Sequence, residues 1–161
     1  MKNNAPEIKS FSRISLIPQG IIYIIFFLIS AQFASSVLMA FIIASVTYLV
    51  LSKLSRNSFL KYHKNAIDHW AIYNYEMAIS EFKASYEFFD RHKFLDKYRF
   101  VTMFDSSPNS YREMAIFNIA YCYGELGDND AKEKCKDKLL ELFPNGQIAK
   151  AILFERETNK V

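Results

Sequence analysis

Charge is missing from a long stretch of this chain: between Arg13 and Lys53 lie 39 residues, ISLIPQGIIYIIFFLISAQFASSVLMAFIIASVTYLVLS, without one Asp, Glu, Lys or Arg. Cysteine is scarce as well, two in 161 residues, and glycine and proline contribute four each. These shortages exclude several kinds of chemistry. A structural zinc site needs four ligands, usually in closely spaced pairs, and neither Cys122 nor Cys135 has another Cys or a His within four residues. Both are read as buried thiols in a reducing compartment. His63 and His69 are six residues apart and fall on different faces of a helix, so they do not form a ligand pair. There is no glycine-rich phosphate loop and no carboxylate pair beside a plausible nucleophile. No enzymatic activity, metal or cofactor is expected. Of the 20 basic and 17 acidic residues, three and one precede Ser52, so the remainder carries a net charge of +1. Lys and Glu alternate there rather than cluster, and nucleic acid is not an expected partner.

The charge-free run would be about 58 Å long as one helix, against a hydrocarbon core of about 30 Å. Two spans of about 16 to 18 residues fit that thickness better, with SAQFASS as a turn of small and polar residues between them. Lys2, Lys9 and Arg13 stand on one flank and Lys53, Arg56, Lys61 and Lys64 on the other. Cytoplasmic segments attract Lys and Arg, so positive flanks at both ends imply an even number of crossings. The expectation is a multi-pass protein of the inner (cytoplasmic) membrane with both termini cytoplasmic. A single tilted span over residues 21–51 is an alternative. A cleaved signal peptide is another, but it leaves the apolar run from Val37 onward unexplained. The chain thus divides into a polar tail (residues 1–13), a transmembrane hairpin (14–52) and a cytoplasmic helical domain (53–161).

No strand-like alternation follows Lys53, and the domain reads as all-α. FLKYHKNAIDHWAI either continues the second apolar helix or restarts after Asn57 and Ser58. In NYEMAISEFKASYEFF an apolar stripe runs through Tyr75, Ala78, Phe82, Ser85 or Tyr86, and Phe89. KFLDKYRFVTMF repeats the habit with Phe94, Leu95, Tyr98 and Val101. Pro108 then breaks the chain and Ser110 can cap the next helix, YREMAIFNIAYCYGEL, which stops at Gly127. Asp128 or Asn129 caps AKEKCKDKLLELF, ended by Pro144 and Gly146. A last helix, QIAKAILFERE, presents Ile148, Ala151, Ile152 and Glu155 along one side.

From Glu113 to Pro144 the chain resembles a tetratricopeptide repeat, a unit of about 34 residues made of two antiparallel helices. Ile116, Ile119, Ala120 and Tyr123 match the spacing of the family's first helix, in which the small residue admits the second helix and the others fill around the contact. Gly127 and Asp128 supply the turn, and Pro144 stands where the family ends its unit. Ala131 comes one position early as the small residue of the second helix, and Cys135 occupies a place usually held by a larger aromatic. An earlier copy is partial: Ala78 and Phe82 fit a second helix, and Ala66 the small residue of a first. About 20 residues separate the two copies. Together they cover most of residues 59–145.

The resemblance implies a groove lined by the first helices, in which the family holds segments of partner proteins. Carried over by position, that groove would be lined by His63, Lys64 and Ile67 from the weak copy and Phe117, Asn118 and Tyr121 from the strong one. Asn118 could pair with a partner's backbone. Two copies fall short of the usual three, so added burial is expected from the inserted residues, the last helix, a partner or self-association as a homo-oligomer. The function expected is that of a membrane-anchored adaptor or scaffold, or a subunit of an inner-membrane complex, with unidentified protein partners and the lipid bilayer as contacts. The alternative is a small membrane-resident immunity or exclusion protein recognising its target through the hairpin, where Gln32, Ser35, Ser36, Ser45 and Thr47 are the polar candidates.

Overall fold

The structure, a computed structural model, describes residues 15–158. Among these it is all-helical: α1 (Leu16–Ala31), α2 (Val37–Phe59), α3 (Lys61–Ala71), α4 (Tyr75–Arg91), α5 (Lys93–Lys97), α6 (Arg99–Thr102), α7 (Tyr111–Glu125), α8 (Asn129–Leu142) and α9 (Gln147–Thr158). The polar tail expected at residues 1–13 lies outside the described residues.

Pro18 is tolerated in α1 because the first-turn N–H groups have no intrahelical partner. The chain then reverses through Gln32 to Ser36, where the Ser36 hydroxyl accepts the Met39 N–H at 3.2 Å and caps α2. The two helices pack against each other through small residues. Ala40 and Ala44, one turn apart on α2, are buried, as is Ser30 on α1. Beside that seam the Tyr23 and Ser45 hydroxyls are hydrogen-bonded at 2.8 Å, and the Tyr23 ring meets Phe41 and Tyr48 edge-on. Most of the remaining large side chains of both helices, Ile17, Ile24, Leu28, Leu38 and Leu49 among them, are exposed, while Ile22, Phe26 and Phe27 are half-buried. Among the described residues one helix, α2, is long and apolar enough to cross a membrane; α1 is apolar but has 16 residues.

α2 runs on past Lys53 to Phe59, so the apolar helix continues into the charged region before the chain bends at the buried Leu60 and restarts as α3. Ser58 donates to the Leu54 carbonyl near that end, a back-bond that often accompanies a bend. α3 packs on α4, α4 on α7 and α7 on α8, so α4 and α7 form the middle of the domain. Ala66, Ala78, Ile79, Phe82, Ile119 and Cys122 make one core where α3, α4 and α7 meet. Ile116, Leu139, Ile148, Ala149 and Ile152 make another under α9. Removing a ring as deeply buried as Phe82 costs about 3–5 kcal/mol. In α9 the buried stripe is Ile148, Ala149 and Ile152; Ala151 is only half-buried, which shifts the expected face by a fraction of a turn. Glu155 leaves the apolar stripe and pairs with Lys136 at 3.2 Å.

The segment joining α4 to α7 departs most from expectation. The apolar stripe of Phe94, Tyr98 and Val101 points outward, 67%, 44% and 45% exposed, and of the expected set only Leu95 turns partly inward. The inward face is charged. Asp96, 1% exposed, accepts the Tyr111 N–H at 2.7 Å and the Arg112 N–H and Nε at 3.3 Å. Arg99 donates to the carbonyls of Asp96, Ser107 and Pro108 at 2.7–3.0 Å. Loop carbonyls and the free N–H groups opening α7 need charged partners when buried, and that demand overrides the apolar pattern. The expected single helix is split at Tyr98 into α5 and α6.

Candidate partner-binding surface

α3 and α7 lie on the same part of α4 and approach each other, and their facing residues set the geometry of the candidate surface. On α3, His63 and Ala66 face the core, which leaves Ile67 and Trp70, three residues apart, on the outside. On α7, Ile116, Ile119 and Ala120 are buried, which puts Tyr121 outside with Asn118 one turn before it. The Trp70 and Tyr121 rings meet edge-on at 6.0 Å and join the two helices across the surface. Ile67, Trp70 and Tyr121 are 45%, 42% and 45% exposed.

The expected groove residues are therefore not all alike. Ile67 and Tyr121 flank Trp70 on one face. Asn118 is half-buried, and its side chain makes no hydrogen bond among the described residues. Lys64 is exposed and donates to Asn57 Oδ1 at 2.6 Å, which ties it back toward α2. Phe117 is half-buried against the core under α9. His63, carried to the groove by position, instead lies buried between Phe82 and Tyr111, at ring distances of 5.3 and 5.1 Å, with Nδ1 3.2 Å from Ser85 Oγ. Burial lowers its pKa to about 4, opposed by the Asp105 carboxylate.

Of the residues expected to pack the repeats, Ala66, Ala78, Phe82, Ile116, Ile119 and Ala120 are buried. Tyr123 is half-buried against the first core and accepts Lys83 Nζ at 3.1 Å. Ala131 is half-buried near the start of α8, where Asp128 caps it at 2.9 Å. Pro144 is exposed just after α8. Gly127 takes φ +78°, a conformation glycine adopts without strain, and so closes α7. Cys122 is buried and its thiol is pushed up to about 11; Cys135 is half-buried and raised by burial as well. Neither has the depressed pKa of a reactive cysteine. At Cys135, where the resemblance calls for a larger side chain, a cleft of about 280 Å³ opens between α4, α7 and α8, floored by Ile116 and Ile119 and rimmed by Lys83 and Lys138.

Trp70 and Tyr73 were not assigned to this surface from the sequence, and Tyr75, expected in an apolar stripe, is half-buried against the first core. Tyr73, at φ 60°, and Tyr75 stand edge-on at 6.3 Å beyond Trp70. Tyr75 donates to Glu125 at 3.4 Å, and a hydrogen bond to the same carboxylate raises the pKa of Tyr121. The cluster of rings in HWAIYNY was the available signal. Compared with family models, curated proteins and solved structures, the chain matches none of them.

Proposed function

We propose that this chain is a membrane-anchored adaptor: α1 and α2 sit in the bilayer as a hairpin, and the domain from α3 onward, built as two tetratricopeptide-like helix pairs with an insert, holds a protein partner on the surface formed by α3 and α7. Both termini face the cytoplasm on this reading, in the inner membrane. The observation that carries it is the exposed Ile67, Trp70 and Tyr121 cluster at the junction of the two first helices, beside an unengaged Asn118 amide. Rings held by a neighbour lose little entropy on binding and supply most of the contact energy at protein interfaces. Exposure of nearly every large side chain on α1 and α2 beyond their seam supports the anchor.

The test is site-specific photocrosslinking in native membranes, with the probe at position 121 and, separately, at position 42 in α2. A discrete adduct at 121 that disappears with Asn118→Ala or Ile67→Ser supports recognition by the α3 and α7 surface. A discrete adduct formed only from position 42 would move recognition into the bilayer and favour a protective protein acting through its hairpin.

A further inference from the structure

We propose that the strap formed by α5 and α6 is a second membrane contact, with Phe94, Tyr98 and Val101 lying in the headgroup region of the bilayer that receives the hairpin. This rests on the hairpin reading and adds a surface to it.

Position is the first argument. The strap and the loop after it are fastened to the base of the hairpin. Gln19 on α1 donates to Ser106 at 3.2 Å, Ser55 on α2 donates to the Thr102 carbonyl, and the Tyr48 and Phe104 rings meet edge-on at 5.0 Å. Phe104 takes φ 52°, a left-handed conformation unusual for a large residue, in delivering that ring. Ser55 lies just past Lys53, the first charge after the apolar run, and Tyr48 about 8 Å before it along α2. These contacts hold the strap at the level where the apolar run gives way to charge, which in a membrane-inserted hairpin is the headgroup region.

The second argument is the orientation of the strap. Its apolar residues, spaced four and three apart, face out, while Asp96 and Arg99 are buried. Facing water, this is the reverse of the usual order; facing an interface, it is the usual one, with aromatic rings and an aliphatic residue at headgroup level. The Phe94 and Tyr98 rings are in contact at 4.8 Å and form one platform. The charges agree with an anionic lipid surface. Asp90 pairs with Lys93 and Arg112, Asp96 faces α7, and Asp105 accepts the Tyr111 hydroxyl, so these carboxylates are engaged within the protein. Lys97 stays exposed over the Tyr98 ring, and Lys53 and Arg56 are exposed on α2.

Trp70 is the one tryptophan of the chain and stands at the far end of α3 from the hairpin, which provides an internal control. The full chain would be reconstituted into vesicles containing phosphatidylglycerol, with lipid brominated high on the acyl chain as quencher. Three forms would be compared: the natural sequence, Trp70→Phe with Phe94→Trp, and Trp70→Phe with Phe41→Trp. Helix content by circular dichroism verifies that each is folded. The proposal expects blue-shifted, strongly quenched emission at positions 94 and 41 and unquenched emission from Trp70. Quenching at 41 with unquenched emission at 94 would overturn the strap and keep the hairpin, including the case in which 94 is blue-shifted because protein covers it. Quenching at 94 alone would keep the strap and overturn the hairpin; emission from water at both would overturn both.

Discussion

His63 lies between Phe82 and Tyr111, and its lowered pKa links core packing to pH. The unfolded ring titrates near its ordinary value of 6.5, and the folded one near 4. The folded state thus prefers the neutral ring. Its contribution is complete above pH 6.5 and is lost as the pH falls toward 4, by up to about 3 kcal/mol. Thermal unfolding across that window should show a declining midpoint, and His63→Phe should flatten the decline. Asp96 is a second single residue with a large expected effect. Asp96→Ala removes the acceptor for the opening N–H groups of α7 and leaves the Arg112 charge without this partner. It should cost about 3 kcal/mol in urea unfolding, against about 1 kcal/mol for Ser110→Ala, which removes only a cap. Gly146 is held small for another reason: a β-carbon there would collide with the Glu113 carboxyl. That group is buried, and burial raises its pKa while the N–H groups of Ile148 and Ser110 lower it.

Among the elements, α8 leaves a cleft against α4 and α7 at Cys135, whose side chain stops short of filling it. Cys135→Leu should fill part of that cleft and raise stability by about 1 kcal/mol, read as a higher urea midpoint at unchanged slope. An unchanged or lowered midpoint would mean that the space is needed by Tyr86 and Lys138, whose ring and ammonium group are in contact there. The helices of the domain were legible from their stripes because Ala78, Phe82 and Phe89, or Ile116, Ile119 and Ala120, recur at three- and four-residue steps and are in fact buried. α5 and α6 were misread by the same rule. Periodicity reports that two faces differ, and it cannot report that Asp96 and Arg99 are wanted inside to hold a loop and a helix start.

For the whole molecule the expected arrangement is a bilayer hairpin beneath a helical domain, joined by the bend at Leu60 after α2 and by the strap. The proposed topology puts the turn at Phe33 on the side of the membrane opposite Gly127. In a Cys122→Ala, Cys135→Ala background, a membrane-impermeant maleimide should label Phe33→Cys and Leu126→Cys from opposite faces of sealed vesicles. Labelling of both from one face would refute two crossings. The candidate binding surface was legible in part: Ile67 and Tyr121 fell on the inferred face, while His63 went to the core and the neighbouring Trp70 and Tyr73 were passed over.

By itself the sequence determined what composition and spacing can determine: the all-helical character of the described residues, an apolar hairpin with its turn near Gln32 to Ser36, and the helix boundaries marked by Ser110, Gly127 and Asp128. These follow from interactions within a few residues, where backbone geometry leaves little choice. Only the tertiary structure decided which of two candidate faces is buried, because that depends on what a distant segment requires. His63 is inside because Phe82 and Tyr111 surround it, and Phe94 is outside because Asp96, two residues on, is the partner that α7 needs.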